Sequence, residues 1–243
     1  MHEPRIHQGS PENLPHREKF DALLERFRQM GNALVAYSGG IDSSMLIKAG
    51  TLALGDQCLG VIARSETLTD HEYEQAMAVA REHGFNVETI SYSELGIENY
   101  AENPNNRCYF CKHELFTRLS VLARERQIGT IVEGSNANDV DDWRPGMKAA
   151  RDLNVASPLR DVGLTKQEIR EVAKALDLTN WDKPSAPCLS SRIAYGVRID
   201  RTKLDQVAEG EAFLRSPGFR ILRVRHHDEI ARIEVAPEEM DRL

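Results

Sequence analysis

The sequence predicts an α/β protein: a parallel sheet with helices on both faces, followed by a small α+β appendage. Three observations point there. Short apolar runs alternate with helical stretches of roughly 10–17 residues, the pattern of strand–helix–strand units in a parallel sheet. A glycine turn, Ser38-Gly39-Gly40, separates the first apolar run from the helical pattern after it. Two capping-box pairs, Thr69 with Glu72 and Thr165 with Glu168, mark helix starts, because at that spacing a hydroxyl and a carboxylate satisfy each other's backbone donors.

In chain order, residues 1–17 are polar, carry three prolines and three histidines, and are expected to form a mobile tail. Phe20, Leu23, Leu24 and Phe27 recur at helical spacing. A strand is expected at Ala33–Tyr37, a helix from about Asp42 to Leu54, and a second strand at Cys58–Ala63. Thr69 opens a helix that ends near Gly84, and Phe85–Ile90 reads as the third strand. Lys112–Gln127 reads as helical, Ile128–Glu133 as the fourth strand, and Thr165 starts a helix that ends near Leu176. These elements form one domain over residues 18–198. Residues 199–243 form the appendage: a short helix with Leu204, Val207 and Ala208, then two β runs, Phe219–Val224 and Ile230–Val235. His226 and His227 between those runs are expected in a turn. Pro237–Leu243 opens as another helix would, so the appendage is expected to be finished by a neighbouring subunit.

Composition narrows the function. The 243 residues are 41% hydrophobic and 28% charged, enough to bury a core. No apolar run approaches the roughly 20 residues of a membrane span, and the first residues lack the apolar centre of a secretory signal, so the expected compartment is the cytoplasm. The net charge of −7 argues against a broad nucleic-acid footprint. Four cysteines without an export signal point to metal ligation, catalysis or core packing rather than disulfides.

The segment Ala33–Ser44, ALVAYSGGIDSS, carries the sharpest chemistry. Adjacent glycines let backbone N–H groups approach an anion, and the following helix contributes free donors and the positive end of its dipole. Ser38, Ser43 and Ser44 add hydroxyls. The loop lacks the lysine of a Walker A motif and is no dinucleotide fingerprint. It resembles the PP-loop of the ATP pyrophosphatases, in which the loop holds the leaving pyrophosphate of ATP. Asp42 is expected either to help hold Mg²⁺ at the phosphates or to cap the helix. In that family the end of the second strand lines the adenine pocket, which implies Ala63, Arg64 and Ser65.

Cys108 and Cys111 form C-x-x-C at a helix entrance, where a thiol pKa is expected to fall. Cys188 lies far away in KPSAPCLSSR, a turn bracketed by prolines and read as non-helical. Two near thiols and one distant one leave two readings open: zinc with a further ligand such as His113, or a [4Fe-4S] cluster with one iron free of protein ligands. Cys58, at the start of a strand, reads as a core residue.

Together, SGGIDSS, NRCYFCK, EGSNANDVDDWRPG (Glu133–Gly146), SPLRDVGLTKQEIR (Ser157–Arg170) and KPSAPCLSSRIAYG (Lys183–Gly196) resemble the LarE family in matching order, over about Phe20 to Val235. These are ATP-dependent pyridinium-3,5-bisthiocarboxylic acid mononucleotide synthases, which supply sulfur to the nickel-pincer cofactor. The resemblance implies that ATP adenylates a carboxylate of a pyridinium biscarboxylate mononucleotide, releasing pyrophosphate, and that sulfur then displaces AMP. It implies Cys188 as the centre of sulfur delivery. In members with that cysteine alone, its own sulfur is sacrificed; Cys108 and Cys111 match members that carry a cluster with an extra sulfide, which is the favoured version here. Asp42 and Lys183 join Cys188 as catalytic residues. Gly134, Asp139 and Arg144 are expected beside the nucleotide, with Asp142 and Trp143 in the same segment. Ser190, Ser191 and Arg192 are expected to steady an anionic substrate, and with Lys183 to lower the Cys188 pKa. Arg223 and Arg225 share one strand face and match binders of the substrate phosphate. Glu211 and Glu234 read as surface glutamates.

The resemblance also implies a homo-oligomer and a sulfide source or sulfur-donor protein. Two competing functions are a PP-loop tRNA thiolase, which the acidic charge disfavours, and an adenine-nucleotide sensor that binds ATP without cleaving it.

Overall fold

In the computed structural model, residues 14–139, 145–185 and 187–243 are described. Residues 1–13 of the expected tail, Asp142, Trp143 and Arg144 lie outside them. The centre is a four-stranded parallel sheet of order β3-β2-β1-β4, made of β1 (Ala33–Ala36), β2 (Cys58–Arg64), β3 (Val87–Ser91) and β4 (Ile131–Val132). Around it lie α1 (Arg17–Met30), α2 (Ile41–Leu54), α3 (Asp70–Glu82), α4 (Arg107–Glu125), α5 (Pro145–Asp152), α6 (Pro158–Asp161) and α7 (Lys166–Ala175). Strand periodicity divides the core into two layers. Val35, Ile62 and Val132 face Phe27 of α1, Leu46 of α2, Ala76 of α3 and Val172 of α7. Leu34, Val61 and Ile131 face Phe116 and Leu119 of α4 and Ala149 of α5. Helices therefore cover both faces, as the alternating pattern predicts.

Both capping boxes form: Thr69 accepts from the Glu72 N–H and Thr165 from the Glu168 N–H, with each glutamate returning the bond. Several bounds differ from expectation. Phe85 closes α3 instead of opening β3: its N–H donates to Ala80 O at 2.9 Å after Gly84 turns the chain at φ 65°. Ile128 closes α4 in the same way, donating to Ala123 O at 2.8 Å, so β4 shrinks to two residues. α4 begins five residues before the expected Lys112, which puts Cys108 and Cys111 inside its first turns. α5 was not expected; Pro145 opens it, a first-turn position where proline's fixed φ suits the helix.

The C-terminal elements are α8 (Arg201–Arg215) and an antiparallel pair, β5 (Leu222–His227) and β6 (Ile230–Val235). β5 starts three residues after the expected Phe219, which is buried with Leu214 of α8. His226 and His227 belong to β5 rather than to the turn, and a bridge joins His226 to Ile193. Among the described residues, no helix is long and apolar enough to cross a membrane.

Candidate active site

Ligands of open α/β sheets bind beyond the carboxyl ends of the strands, where the strand order reverses. β1 is that point, with β2 on one side and β4 on the other. Ser38, Gly39 and Gly40 leave β1 here. Gly39 has φ 68°, and a Cβ on it would lie 2.3 Å from Ala76 Cβ, so only glycine fits. No side chain caps α2, which leaves its first N–H donors available to an anion. The serines divide the labour differently from expectation. Ser38 is exposed, whereas Ser43 and Ser44 are buried. Ser43 Oγ accepts from Ser38 N at 3.1 Å and donates to Gly40 O at 3.0 Å, so it shapes the loop. Ser44 Oγ accepts from Asn180 Nδ2 at 2.9 Å.

Two lysines flank the loop. Lys183 Nζ donates to Gly39 O at 3.3 Å, and burial lowers its pKa, partly offset by Glu72. Lys183 therefore serves the phosphate loop, not the Cys188 thiol. Lys166, at the start of α7, is ion-paired with Asp42, whose other oxygen accepts from Asn136 Nδ2 at 3.4 Å. Asp42 thus projects into the cleft between β1 and β4 instead of capping α2. Gly134 closes that cleft: a Cβ there would lie 3.2 Å from Asp42 Cβ and 3.4 Å from Ser43 N. Asp139 is buried and accepts from Asn136 N at 2.9 Å.

The second cluster lies beyond β2 and β3. Glu94, 6% exposed, accepts from Ser65 Oγ at 3.1 Å, Thr67 Oγ1 at 3.0 Å, Tyr100 OH at 2.7 Å and Cys111 Sγ at 3.5 Å. Ser65, expected at the adenine, is thus engaged with this carboxylate, while Ala63 is half-buried at the end of β2. Tyr100 OH also meets Ser190 Oγ at 2.7 Å, and Leu189 N donates to Thr67 O at 3.3 Å. These bonds bring Cys188, which precedes a single 3₁₀ turn over Leu189–Arg192, to the C-x-x-C of α4.

The thiols feel one another. Burial first, then Glu94 and Cys188, push the Cys111 pKa well above its usual value. Residue 188 as a whole is exposed, yet desolvation at its thiol, then Glu94 and Cys108, push it up to about 11 against an opposing pull from Arg107. The expected lowering at these two cysteines is therefore reversed. The cations assigned to that task are spent elsewhere, Lys183 on Gly39 and Arg192 on Glu211. Cys58 is a core residue, its thiol pushed by burial up to about 12. Among the described residues no group of three or more His, Cys, Asp or Glu side chains is gathered in a geometry that could hold a metal ion.

Arg192 and Glu211 correct a further expectation. Glu211 is 1% exposed, no surface residue. It accepts from Arg192 Nε at 2.8 Å, Arg215 at 2.8 Å and Val224 N at 3.3 Å. Arg192 also donates to Pro187 O at 2.5 Å, so it fixes the turn carrying Cys188. Arg225 reaches the same turn through Ser191 O at 3.3 Å and pairs with Glu234 at 2.6 Å. Arg223 shares its strand face. The sequence reading missed Glu94, Lys166 and Arg107. The last two stand inside the quoted GLTK and NRCYFC segments; Glu94 had no motif to mark it.

No protein-family profile matches the chain. Relatives align along most of it. An uncharacterized protein of Synechocystis sp. is 39% identical over 225 residues, 93% of this chain and 84% of the relative. The pyridinium-3,5-bisthiocarboxylic acid mononucleotide synthase of Lactiplantibacillus plantarum is 36% identical over 214 residues, 88% of this chain and 78% of that protein. A glutamine-hydrolyzing GMP synthase component of Methanococcus vannielii is 26% identical over 156 residues, 60% of this chain and 50% of its own. The parallel sheet and the glycine-serine loop at its carboxyl edge define an α/β protein of the PP-loop ATP pyrophosphatase class. Within that class, the chain belongs to the LarE family, the pyridinium-3,5-bisthiocarboxylic acid mononucleotide synthases.

Proposed function

We propose that the protein uses ATP to convert a carboxylate of pyridinium-3,5-biscarboxylic acid mononucleotide into a thiocarboxylate for nickel-pincer cofactor synthesis. The observation that carries this reading is the course of the Asn180–Arg192 segment. At one end Asn180 and Lys183 bond to Gly39 O at 3.2 and 3.3 Å; at the other, Leu189 and Ser190 bond to Thr67 and Tyr100 beside the thiols. Cys188 lies five positions after Lys183, at most about 18 Å of extended chain. One short segment thus ties the loop where a carboxylate would be activated to the turn where sulfur would be delivered.

The chemistry balances without redox change. The carboxylate oxygen attacks the α-phosphorus, and pyrophosphate leaves with the electron pair of the broken P–O bond. Hydrosulfide then adds to the acyl carbon, the C–O bond to AMP breaks, AMP leaves, and the sulfur's proton passes to solvent. The Gly39 N–H and the uncapped N-terminus of α2 take the charge that develops on the leaving phosphates. Lys166 and Lys183 neutralise it from either side. Asp42 would hold Mg²⁺, which its hard carboxylate oxygens suit and which polarises the phosphates.

The donor set near Cys188 is all sulfur, as an iron–sulfur cluster requires. Cys108, Cys111 and Cys188 supply three thiolate ligands, the donor type that iron–sulfur clusters take, and the Cys111 and Cys188 thiols feel each other. When bound by three cysteines, a [4Fe-4S] cluster leaves one iron able to carry an exchangeable sulfide. Arg223 and Arg225 share a strand face that would meet the mononucleotide phosphate, with the Arg225 charge partly met by Glu234. A homo-oligomer belongs to the same reading, because Ile230, Ile233, Met240 and Leu243 expose apolar surface on the C-terminal elements. The test is anaerobic turnover of the protein with ATP, the biscarboxylate mononucleotide and sulfide. One pyrophosphate and one AMP per thiocarboxylate is expected, with the protein mass unchanged. Loss of one H₂S from Cys188 would instead make that cysteine the donor, and absence of pyrophosphate release would end the proposal.

A further inference from the structure

Two buried charges, Glu94 and Arg107, stand near the cysteines and among the described residues do not pair with each other. Among the described residues, the Glu94 carboxylate accepts from neutral groups alone. Arg107 is 5% exposed, and among the described residues no carboxylate pairs with it. Its Nη1 donates to Asn103 Oδ1 at 2.6 Å, and its Cζ lies 4.5 Å from the Tyr195 ring centroid. Its Nε is buried and has no hydrogen-bond partner among the described residues. Such a donor is costly on any group and more so on a cation, so it marks a place for an acceptor. The guanidinium is also held in position. Asn103 has no exposed surface and donates to Ile193 O, Ala194 O and Val197 O, which anchors the start of α4 to the chain just beyond the Cys188 turn.

We propose that Arg107 binds the anionic sulfur that is transferred, a hydrosulfide docked against its Nε–H beside Cys188. This rests on the function proposed above. A small monoanion is favoured there, because the buried Glu94 carboxylate near the thiols repels a multiply charged oxyanion more strongly. The donors that suit phosphates, Ser38, Lys166 and Lys183, lie at the other end of the Asn180–Arg192 segment. Cys108 follows Arg107 directly and Cys111 stands one turn further along α4, so soft sulfur lies on the same helix start. Arg107 also packs between α4 and the chain after Cys188, so the experiment has to separate binding from bracing.

Arg107→Gln and Arg107→Lys are compared with the unmodified chain, purified anaerobically. Radiolabelled sulfide retained through gel filtration reads binding without turnover; pyrophosphate release reads adenylation; and the sulfide concentration for half-maximal thiocarboxylate formation reads transfer. Losing a charge-assisted hydrogen bond is expected to cut retention and raise the sulfide requirement about tenfold or more in Arg107→Gln. Pyrophosphate release should stay within about twofold, because no phosphate-loop contact is removed. Arg107→Lys keeps the charge without the planar fork and should fall between, which keeps the test decisive if the Gln variant does not fold. Unchanged retention in Arg107→Gln overturns the proposal. So does a rise confined to the mononucleotide requirement, which would make Arg107 a ligand of the substrate phosphate, or an equal loss of both steps, which would make it a brace. If the unmodified chain releases no pyrophosphate from the mononucleotide, the proposed function fails, and label retention still reads sulfide binding by itself.

Discussion

Gly39 shows how much a single position can decide. Its left-handed φ and the 2.3 Å approach of a built Cβ to Ala76 Cβ are two separate penalties. Overpacking costs roughly 1–3 kcal/mol, and left-handed backbone about 1–2 kcal/mol for a residue with a Cβ. Gly84 pays only the second: its φ is 65° and nothing lies within 4 Å of a Cβ there. Gly39→Ala is therefore expected to lose about 2–5 kcal/mol of stability and most of its pyrophosphate release. Gly84→Ala should lose about 1–2 kcal/mol and keep that activity. Equal effects in urea unfolding and pyrophosphate assays would show that the Ala76 contact does not shape the loop. The glycine pair was legible in SGGIDSS. What made one of the two glycines obligatory, the Ala76 backbone of a helix more than thirty residues on, was not.

Among the elements, α7 combines a start visible in the sequence with a docking that was not. Its capping box was legible, since Thr165 and Glu168 are local partners. That Lys19 of α1 donates to both oxygens of Glu168, at 2.7 and 2.8 Å, emerges only when the two helices pack together. The Lys19 bond first, then the Thr165 backbone N–H, hold the Glu168 carboxyl down at about 2. The unfolded chain titrates this group near 4.3. The folded state thus binds fewer protons between those values, and the stability that Glu168 contributes is complete above about pH 5 and lost as pH falls toward 2. Glu168→Gln should unfold at lower urea than the unmodified chain at pH 7, with the gap closing between about pH 4.5 and 2 and shrinking in high salt. A gap that persists undiminished at pH 2 would mean that the carboxylate charge is not what matters. Elements lacking such local marks were misread. α5 was invisible because its apolar face is only Ala149 and Ala150. The bounds of β3 and β4 moved because the apolar residues before them, Phe85 and Ile128, close the preceding helices instead.

At the scale of the whole molecule, the buried pair Arg192–Glu211 joins the C-terminal elements to the Cys188 turn. Removing one member of such a pair strands the other, which costs roughly 3–5 kcal/mol. For a chain of this size, Glu211→Gln should lower the melting temperature by roughly 10 °C in calorimetry. An unchanged melting temperature would return Glu211 to the role of a replaceable surface residue. Local chemistry was written in the sequence: the alternating layers, the capping boxes, the phosphate loop and the cysteines all follow from residue types a few positions apart, where period and spacing are physical constraints. Packing alone decided where charges went. Lys183 turned to the loop backbone, Arg192 to Glu211, and Arg107 and Glu94 took the place beside Cys188. Desolvation and pairing depend on which distant segments become neighbours, and they reversed the expected fall in thiol pKa at Cys111 and Cys188.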